Sequence, residues 1–366
     1  MGHPTTTTVA AAPRAALASL SRRLPRRVNM RRNLPALGRK LAISLTSMAI
    51  FLLLWQLSAG YLYGVEATAR IERTTQEQGA DAGAAMAACI ASGDVSCKPN
   101  TLPFPREVVR AAGLLLADHR AIRTKQAEFA AETAELNAAR AARGLAAITY
   151  TGRPSFVDQI GTSLKTVVVG FLISLLIAVP LGIVIGLNEN LRIAFNWMIQ
   201  VFKPVSPVVW LLLVFMIVKT LTLGSDTDTS FLISSISVGL CAMWATLVNT
   251  SVGVSSVNQD YLNVARVLQL GIGKKIFRVI LPSAIPLIFT GMRITVSVAW
   301  MVLIAIELLA QSPGLGSFVW EEFQNGGSDS NAKIIVAMFV IGLVGFLLDR
   351  LMFMVQGRVS FEKAIG

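Results

Sequence analysis

Residues 259–286, QDYLNVARVLQLGIGKKIFRVILPSAIP, form a polar, basic interval between two strongly apolar segments. The spacing predicts a short helix over 261–270, a break at Gly271 and Gly273, a second short helix, and a stop at Pro282. Tyr261, Val264 and Leu268, with Ala265 beside them, fall at helical spacing on one side, while Asn263, Arg266 and Gln269 lie away from that stripe. A loop between membrane spans needs no apolar stripe unless something covers it. A lipid headgroup layer or another protein's groove would serve.

The composition around this loop is that of a membrane protein. The chain has 366 residues, 54% hydrophobic and 15% charged, with a mean hydropathy of +0.61; soluble domains carry about 25% charged residues. The net charge of +12 would suit a nucleic-acid binder, but nine Lys and Arg precede residue 41 with no acidic residue among them. That placement beside an apolar run is explained by membrane topology, so residues 1–40 are expected to be a basic cytoplasmic tail and no nucleic acid is expected as partner. A secretory signal fits poorly, because the apolar run exceeds the about 7–15 residues of such signals.

Six spans are expected, over 41–64, 156–187, 193–223, 230–252, 282–310 and 333–353. The first is about 24 residues, about 36 Å as a helix, against a hydrocarbon core of about 30 Å. Residues 65–154 form a polar insert rich in Ala, Glu and Arg, read as two helices, 67–90 and 105–143, about a turn. In an oxidising compartment Cys89 and Cys97 would close a short disulfide loop in preference to remaining free thiols. Residues 155–356 make a five-helix core and 357–366 a cytoplasmic tail. The coupling interval holds Arg266, Lys274, Lys275 and Arg278 against Asp260, whereas the short loops at the other end hold Asp226, Asp228, Glu321, Glu322 and Asp329 against Lys333. This bias predicts both termini inside.

Chemistry is sparse. No GxxxxGK[ST] phosphate loop and no Cys/His cluster occurs, so neither ATP hydrolysis nor a metal is expected on this chain. Charges within spans are costly and mark candidates for a pathway. Arg293 either attracts an anion or pairs with another span, pairing being the favoured reading. Glu307 lies fourteen residues on, about 21 Å along the helix, too far to pair with Arg293; packing or gating suits it better than anion binding. Lys203 precedes Pro204 and Pro207, which break or kink the third span near mid-depth, either lining a wet path or packing. Trp210 and Trp300 complete the candidates, with packing the safer reading for Trp300. Gly182 and Gly186 are spaced for close helix packing.

The stretch QDYLNVARVLQL, followed by LPSAIPLIFTGMRI and SVAWMVLIAIELL, resembles the coupling loop and following span of bacterial ABC importer permeases of the nitrate, bicarbonate, sulfonate and taurine type. That family's loop reads Glu-Ala-Ala, three residues, Gly, nine residues, Ile, one residue, Leu-Pro. Here the positions are Asn263, Val264, Ala265, Gln269, Val279, Leu281 and Pro282, with Asn, Val and Gln as departures; Gly271 follows closely. The resemblance covers about residues 155–350 and not the insert. It implies an all-α, six-span type I importer permease in the bacterial inner membrane. Cytoplasmic ABC ATPases carrying ATP and Mg, an extracytoplasmic binding protein and a second permease copy, most simply a homodimer, would be its partners. The solute implied is a small anion, nitrate first, with bicarbonate or an organosulfonate such as taurine behind it. A secondary transporter is the rival class. It would show an inverted repeat, and none is visible.

Overall fold

The computed structural model describes residues 30–94, 96–222 and 229–359, without the side chains at 30–37, 40 and 328. The start of the basic tail, the loop with Asp226 and Asp228, and the last seven residues lie outside the described residues. All regular structure among the described residues is helical. Two compact units meet between Trp55 and Gln56.

The first unit is the early part of α1 (Met30–Gln78), whose Leu, Ile and Phe side chains from Leu41 onward stand exposed, as expected of a surface solvated by lipid. The second unit holds the rest. Among the described residues of the whole chain, α1 included, five helices are long and apolar enough to cross a membrane, and six if one sharply bent pair counts as a span.

The core of the second unit is built on α7 (Ser230–Ser255), lying between α4 (Phe156–Leu187) and α10 (Leu281–Ala310). The sequence permits this because α7 is rich in Ser, Thr and Gly rather than Leu. Small residues let helix backbones approach, which supplies the packing that lipid cannot drive. A Cβ at Gly182 would lie 2.7 Å from the Thr250 Cβ, and one at Gly186 would lie 2.7 Å from the Ser251 carbonyl oxygen. These two glycines therefore work as the spacing suggested. Thr246 and Thr295 join α7 to α10 by a buried hydroxyl contact of 2.7 Å. Around this seam Ala178, Ile185, Met243 and Leu247 form one apolar cluster, and Val254, Val257, Ile280, Ala284 and Ile288 another nearer the coupling end.

α4 starts where the sequence placed it, because Ser155 and Asp158 form a reciprocal cap: Asp158 N–H donates to Ser155 Oγ at 3.2 Å and Ser155 N–H to Asp158 Oδ2 at 3.3 Å. The expected third span divides into α5 (Glu189–Phe202) and α6 (Pro207–Leu221), bent by 100°. Pro204 and Pro207 lie in and just after the break, where missing N–H donors end one helix and start the next. The residues Glu189 to Arg192, which fall between the expected second and third spans, form the first turn of α5, capped by Asn188.

Two boundaries are corrected. The first span does not end at Gly64 with a fresh helix at Ala67; α1 runs unbroken to Gln78. One glycine costs a helix interior only about 1 kcal/mol, and the run from Val65 to Gln78 is otherwise helix-forming. The break falls at Gly79, whose φ of 95° a side chain resists. Nor does Pro282 stop a helix. The short α9 (Ile272–Lys275) passes through a π-helical turn (Ile276–Ile280) straight into α10. In that turn Leu281 N–H donates five residues back to Ile276 O. The wider ring makes room for the proline that would collide with the carbonyl four residues before it.

The insert is α2 (Ala80–Ser92), a loop, and α3 (Pro105–Ala142). It is tied to the core ends at several points. Arg70 donates to the Cys97 and Lys98 carbonyls at 3.1 and 3.2 Å. Asn100 donates to Gly326 O at 2.8 Å, and Asn331 to Asn100 Oδ1 at 2.6 Å. His119 Nδ1 lies 2.6 Å from Ser155 Oγ, and Arg153 pairs with Asp118 at 2.6 Å. The structure joins Cys89 to Cys97, with Cα atoms 6.0 Å apart.

Candidate functional site

At the end of the core away from the insert, α7 gives way to α8 (Gln259–Val267). Asn258 caps it, accepting from Asp260 N–H at 2.9 Å. It ends in paired bonds, Leu270 N–H to Ala265 O at 3.0 Å and Gln269 N–H to Arg266 O at 2.9 Å, with Gln269 left-handed at φ 48°. This is the αL termination that glycine suits best. The loop pattern that places Gly at this position thus has a backbone reason, and Gln269 occupies it under strain.

The faces of α8 separate cleanly. Ala265 is 2% exposed. Leu262 and Ile276 pack with the cluster of Val254, Val257 and Ile280. Ala265 therefore belongs to the face that anchors the helix, not to the outward stripe where the sequence reading put it. Tyr261, Val264 and Leu268 are exposed, with Leu268 at 63%. Val267, Ile272 and Phe277 join them outside, at 81%, 69% and 71%. Sequence reasoning missed these three because they sit off the stripe or beyond the glycines. Asn263 accepts from Arg266 at 3.2 Å, and Asn263, Gly271 and Pro282 are exposed while Leu281 is half-buried. The arrangement is a short, capped helix, held from behind, presenting apolar side chains to whatever lies beyond.

The charged candidates in the spans have different fates. Arg293 pairs bidentately with Asp349 of α12 (Ser328–Val359), Nε to Oδ1 at 2.5 Å and Nη2 to Oδ2 at 2.8 Å, and its guanidinium lies over Phe353. A carboxylate already occupies the fork that an anion would use. Glu307 is 1% exposed. Ser163 Oγ donates to its two oxygens at 2.8 and 2.9 Å, and Gly316 N–H donates to Oε2 at 3.0 Å. Ser163 in turn accepts from Leu315 N–H at 2.9 Å. The carboxylate thus sits at the N-terminus of α11 (Leu315–Asn325), where N–H groups and the helix dipole favour negative charge. A Cβ at Gly316 would meet the Glu307 Cβ at 2.7 Å. Glu307 therefore fastens α4, α10 and α11 together.

Trp300 is buried and donates to Ile341 O at 2.9 Å, a packing role. Lys203 and Pro204 are exposed at the break between α5 and α6, with Pro207 half-buried. Trp210 lies half-buried in an aromatic group with Phe202 and Trp244, ring centroids 6.1 to 6.4 Å apart. No carboxylate among the described residues pairs with Lys203. Among the described residues no group of three His, Cys, Asp or Glu is placed to hold a metal.

An all-helical, multi-pass membrane protein with an outward-presenting helix in the loop before its penultimate span is thereby defined. The chain belongs to the family of binding-protein-dependent transport system inner membrane components, whose model matches residues 178–361. A nitrate import permease protein of Synechococcus elongatus is 36% identical over 202 residues, spanning 55% of this chain and 69% of that one. A bicarbonate transport system permease protein of the same organism is 36% identical over 190 residues, 51% of this chain and 64% of that one. A methionine ABC transporter solved in inward-facing conformations superposes with a TM-score of 0.47 at 14% identity, covering 56% of this chain and 95% of the other. The chain is thus an ABC importer permease of the type that includes the nitrate and bicarbonate permeases, a transport subunit of the inner membrane.

Proposed function

We propose that this chain forms the membrane path for nitrate in an ATP-driven importer and receives its energy through α8. The observation that carries the coupling half is the exposed stripe of Tyr261, Val264 and Leu268 on a helix anchored by buried Ala265. Exposed apolar groups rimmed by polar ones mark a docking surface. In this reading a cytoplasmic ABC ATPase, with ATP and Mg, receives the stripe in a groove, and its closure drives the spans toward the outward-facing state. Both termini are cytoplasmic, the insert faces outward, an extracytoplasmic binding protein delivers the solute, and two copies of this chain form the path. In the oxidising exterior the bond between Cys89 and Cys97 persists.

Nitrate is chosen because relatives named for nitrate import match over a somewhat longer stretch than those named for bicarbonate, at similar identity. The test is uptake of isotopically labelled nitrate and bicarbonate by vesicles holding the assembled importer, with and without ATP. ATP-dependent nitrate uptake that excess bicarbonate leaves unchanged is expected. Uptake of bicarbonate alone would move the solute assignment, and ATP-independent uptake of either would overturn the importer reading.

A further inference from the structure

We propose that the exposed face of the first half of α3, with the cleft beside it, binds the headgroup of an anionic phospholipid. Helical spacing puts Arg106, Val109, Arg110, Gly113, Leu116 and Arg120 on one side of α3, and all six are exposed. The buried side carries Ala111, Leu115 and Ile122. No carboxylate shares the exposed side. Glu107 is turned toward Lys98, at 2.8 Å, and Asp118 toward Arg153.

This is an uneconomical way to build a helix that meets only water. Arg106 and Arg110 are like charges at i and i+4, which repel. Arg106 also lies in the first turn of α3, where the dipole disfavours cations. Neither arginine has a carboxylate partner among the described residues. A ligand that supplies negative charge removes both penalties.

The cleft says what kind of ligand. Its volume is about 930 Å³; of its lining charges Lys98 pairs with Glu107 and Lys333 with Glu322, so Arg106 and Arg110 against Asp329 leave it net positive. Tyr63 and Phe104, ring centroids 6.0 Å apart, also border it. Tyr63 lies where the apolar part of α1 ends, and Lys333 immediately precedes the unbroken apolar run of α12 that begins at Ile334. The cleft therefore sits at the level where hydrocarbon gives way to headgroups. Basic residues beside exposed Val109 and Leu116, at that level and with an interfacial tyrosine, match a charged headgroup carrying acyl chains. A cleft of this size would hold a bare small anion loosely. The inference depends on neither the solute nor the orientation of the chain.

The test uses the purified full chain in neutral detergent, titrated with phosphatidylglycerol and with phosphatidylcholine of the same tails, bound lipid being counted by native mass spectrometry. Phosphatidylglycerol is expected to be retained at least tenfold better. R106Q/R110Q should abolish that preference and R106K/R110K should keep most of it, R106Q/R110Q at a melting temperature no lower than the parent's because the relieved repulsion offsets the lost contact of Arg106 with the Phe104 ring. Equal retention of the two lipids overturns the proposal, as does a preference surviving R106Q/R110Q/R120Q. Glycerol phosphate competing as well as the intact lipid would overturn the lipid assignment. So would an acidic protein that co-purifies and is lost in R106Q/R110Q while the lipid preference stays.

Discussion

Leu268→Asp and Ala265→Asp, three residues apart on α8, should fail in opposite ways. A fully transferred leucine side chain is worth about 1.5–3 kcal/mol. With 63% of Leu268 exposed, docking on an ATPase recovers about 1–2 kcal/mol of that. Placing a carboxylate in the same apolar groove adds a desolvation cost of about 1–3 kcal/mol. The total, about 2–5 kcal/mol, weakens association by about 30-fold to several thousand-fold. The free permease loses almost nothing, because the side chain is already outside. Ala265, at 2% exposure, is the reverse. A carboxylate there enters the cluster of Val254, Val257 and Ile280, so the permease itself is damaged. The assay is paired: amount and melting temperature of the membrane-inserted chain, and the ATPase that co-purifies with it. Leu268→Asp should leave the first intact and lose the ATPase and ATP-dependent uptake; Ala265→Asp should lower the first. A Leu268→Asp chain that still binds the ATPase and transports would refute the docking role. One that fails to insert would refute the separation of faces.

Three further outcomes follow from the geometry. Gln269→Gly should stabilise the end of α8 by about 1 kcal/mol by relieving the left-handed backbone, read as slower amide exchange at Leu270, the donor that closes the turn. Glu307→Gln keeps the size but sets an amide among the Ser163 and Gly316 donors, and should cost about 1–3 kcal/mol in thermal or denaturant unfolding, with Glu307→Asp also failing to rescue because it is too short. Arg293→Asp and Asp349→Arg should each lower melting temperature and uptake, and the double swap should restore the melting temperature. Restored melting temperature without restored uptake would show that Arg293 does more than pair.

The features legible in the sequence are those decided locally. The start of α4 could be read because Ser155 and Asp158 stand three apart before an apolar run. The break after Phe202 could be read because two prolines remove donors within four residues. What escaped depends on comparing near-equal local costs or on distant partners. Gly64 and Gly79 look alike in the sequence, and only the second takes a positive φ. Pro282 carries every sign of a helix stop, yet a π-helical turn absorbs it. Asp349 is 56 residues from Arg293, and nothing in either segment announces the other. The cradle of Glu307 comes from Ser163 and the backbone of Gly316, a hydroxyl and an N–H with no pattern to search for. The 100° angle between α5 and α6 was likewise beyond reach, since prolines tell where a helix breaks and not which way it turns.

These placements change which residues can attract an anion. A cation selects anions only while its charge is unspent. Arg293 is committed to Asp349 and Lys333 to Glu322 at 3.0 Å. Lys219 lies over the Phe215 ring. Glu307 at the insert end is enclosed by the Ser163 and Gly316 donors. Lys203 stays exposed at the break, beside the aromatic group of Phe202, Trp210 and Trp244, and Lys165 is exposed early in α4. Of the two, only Lys203 stands at a helix break, facing the positive dipole end of α6, whose first N–H groups are met by Ser206: Val208 N–H donates to Ser206 Oγ at 3.4 Å and Val209 N–H to Ser206 O at 3.1 Å. A helix N-terminus and an unpaired ammonium within one turn of each other create a positive field that a small oxyanion would feel and a neutral solute would not. If this importer discriminates by charge within the membrane, the break at Lys203 to Ser206 is where the discrimination arises, and Lys203→Gln should raise the apparent KM for nitrate more than it lowers the maximal rate. An unchanged KM would shift that role to the binding protein alone.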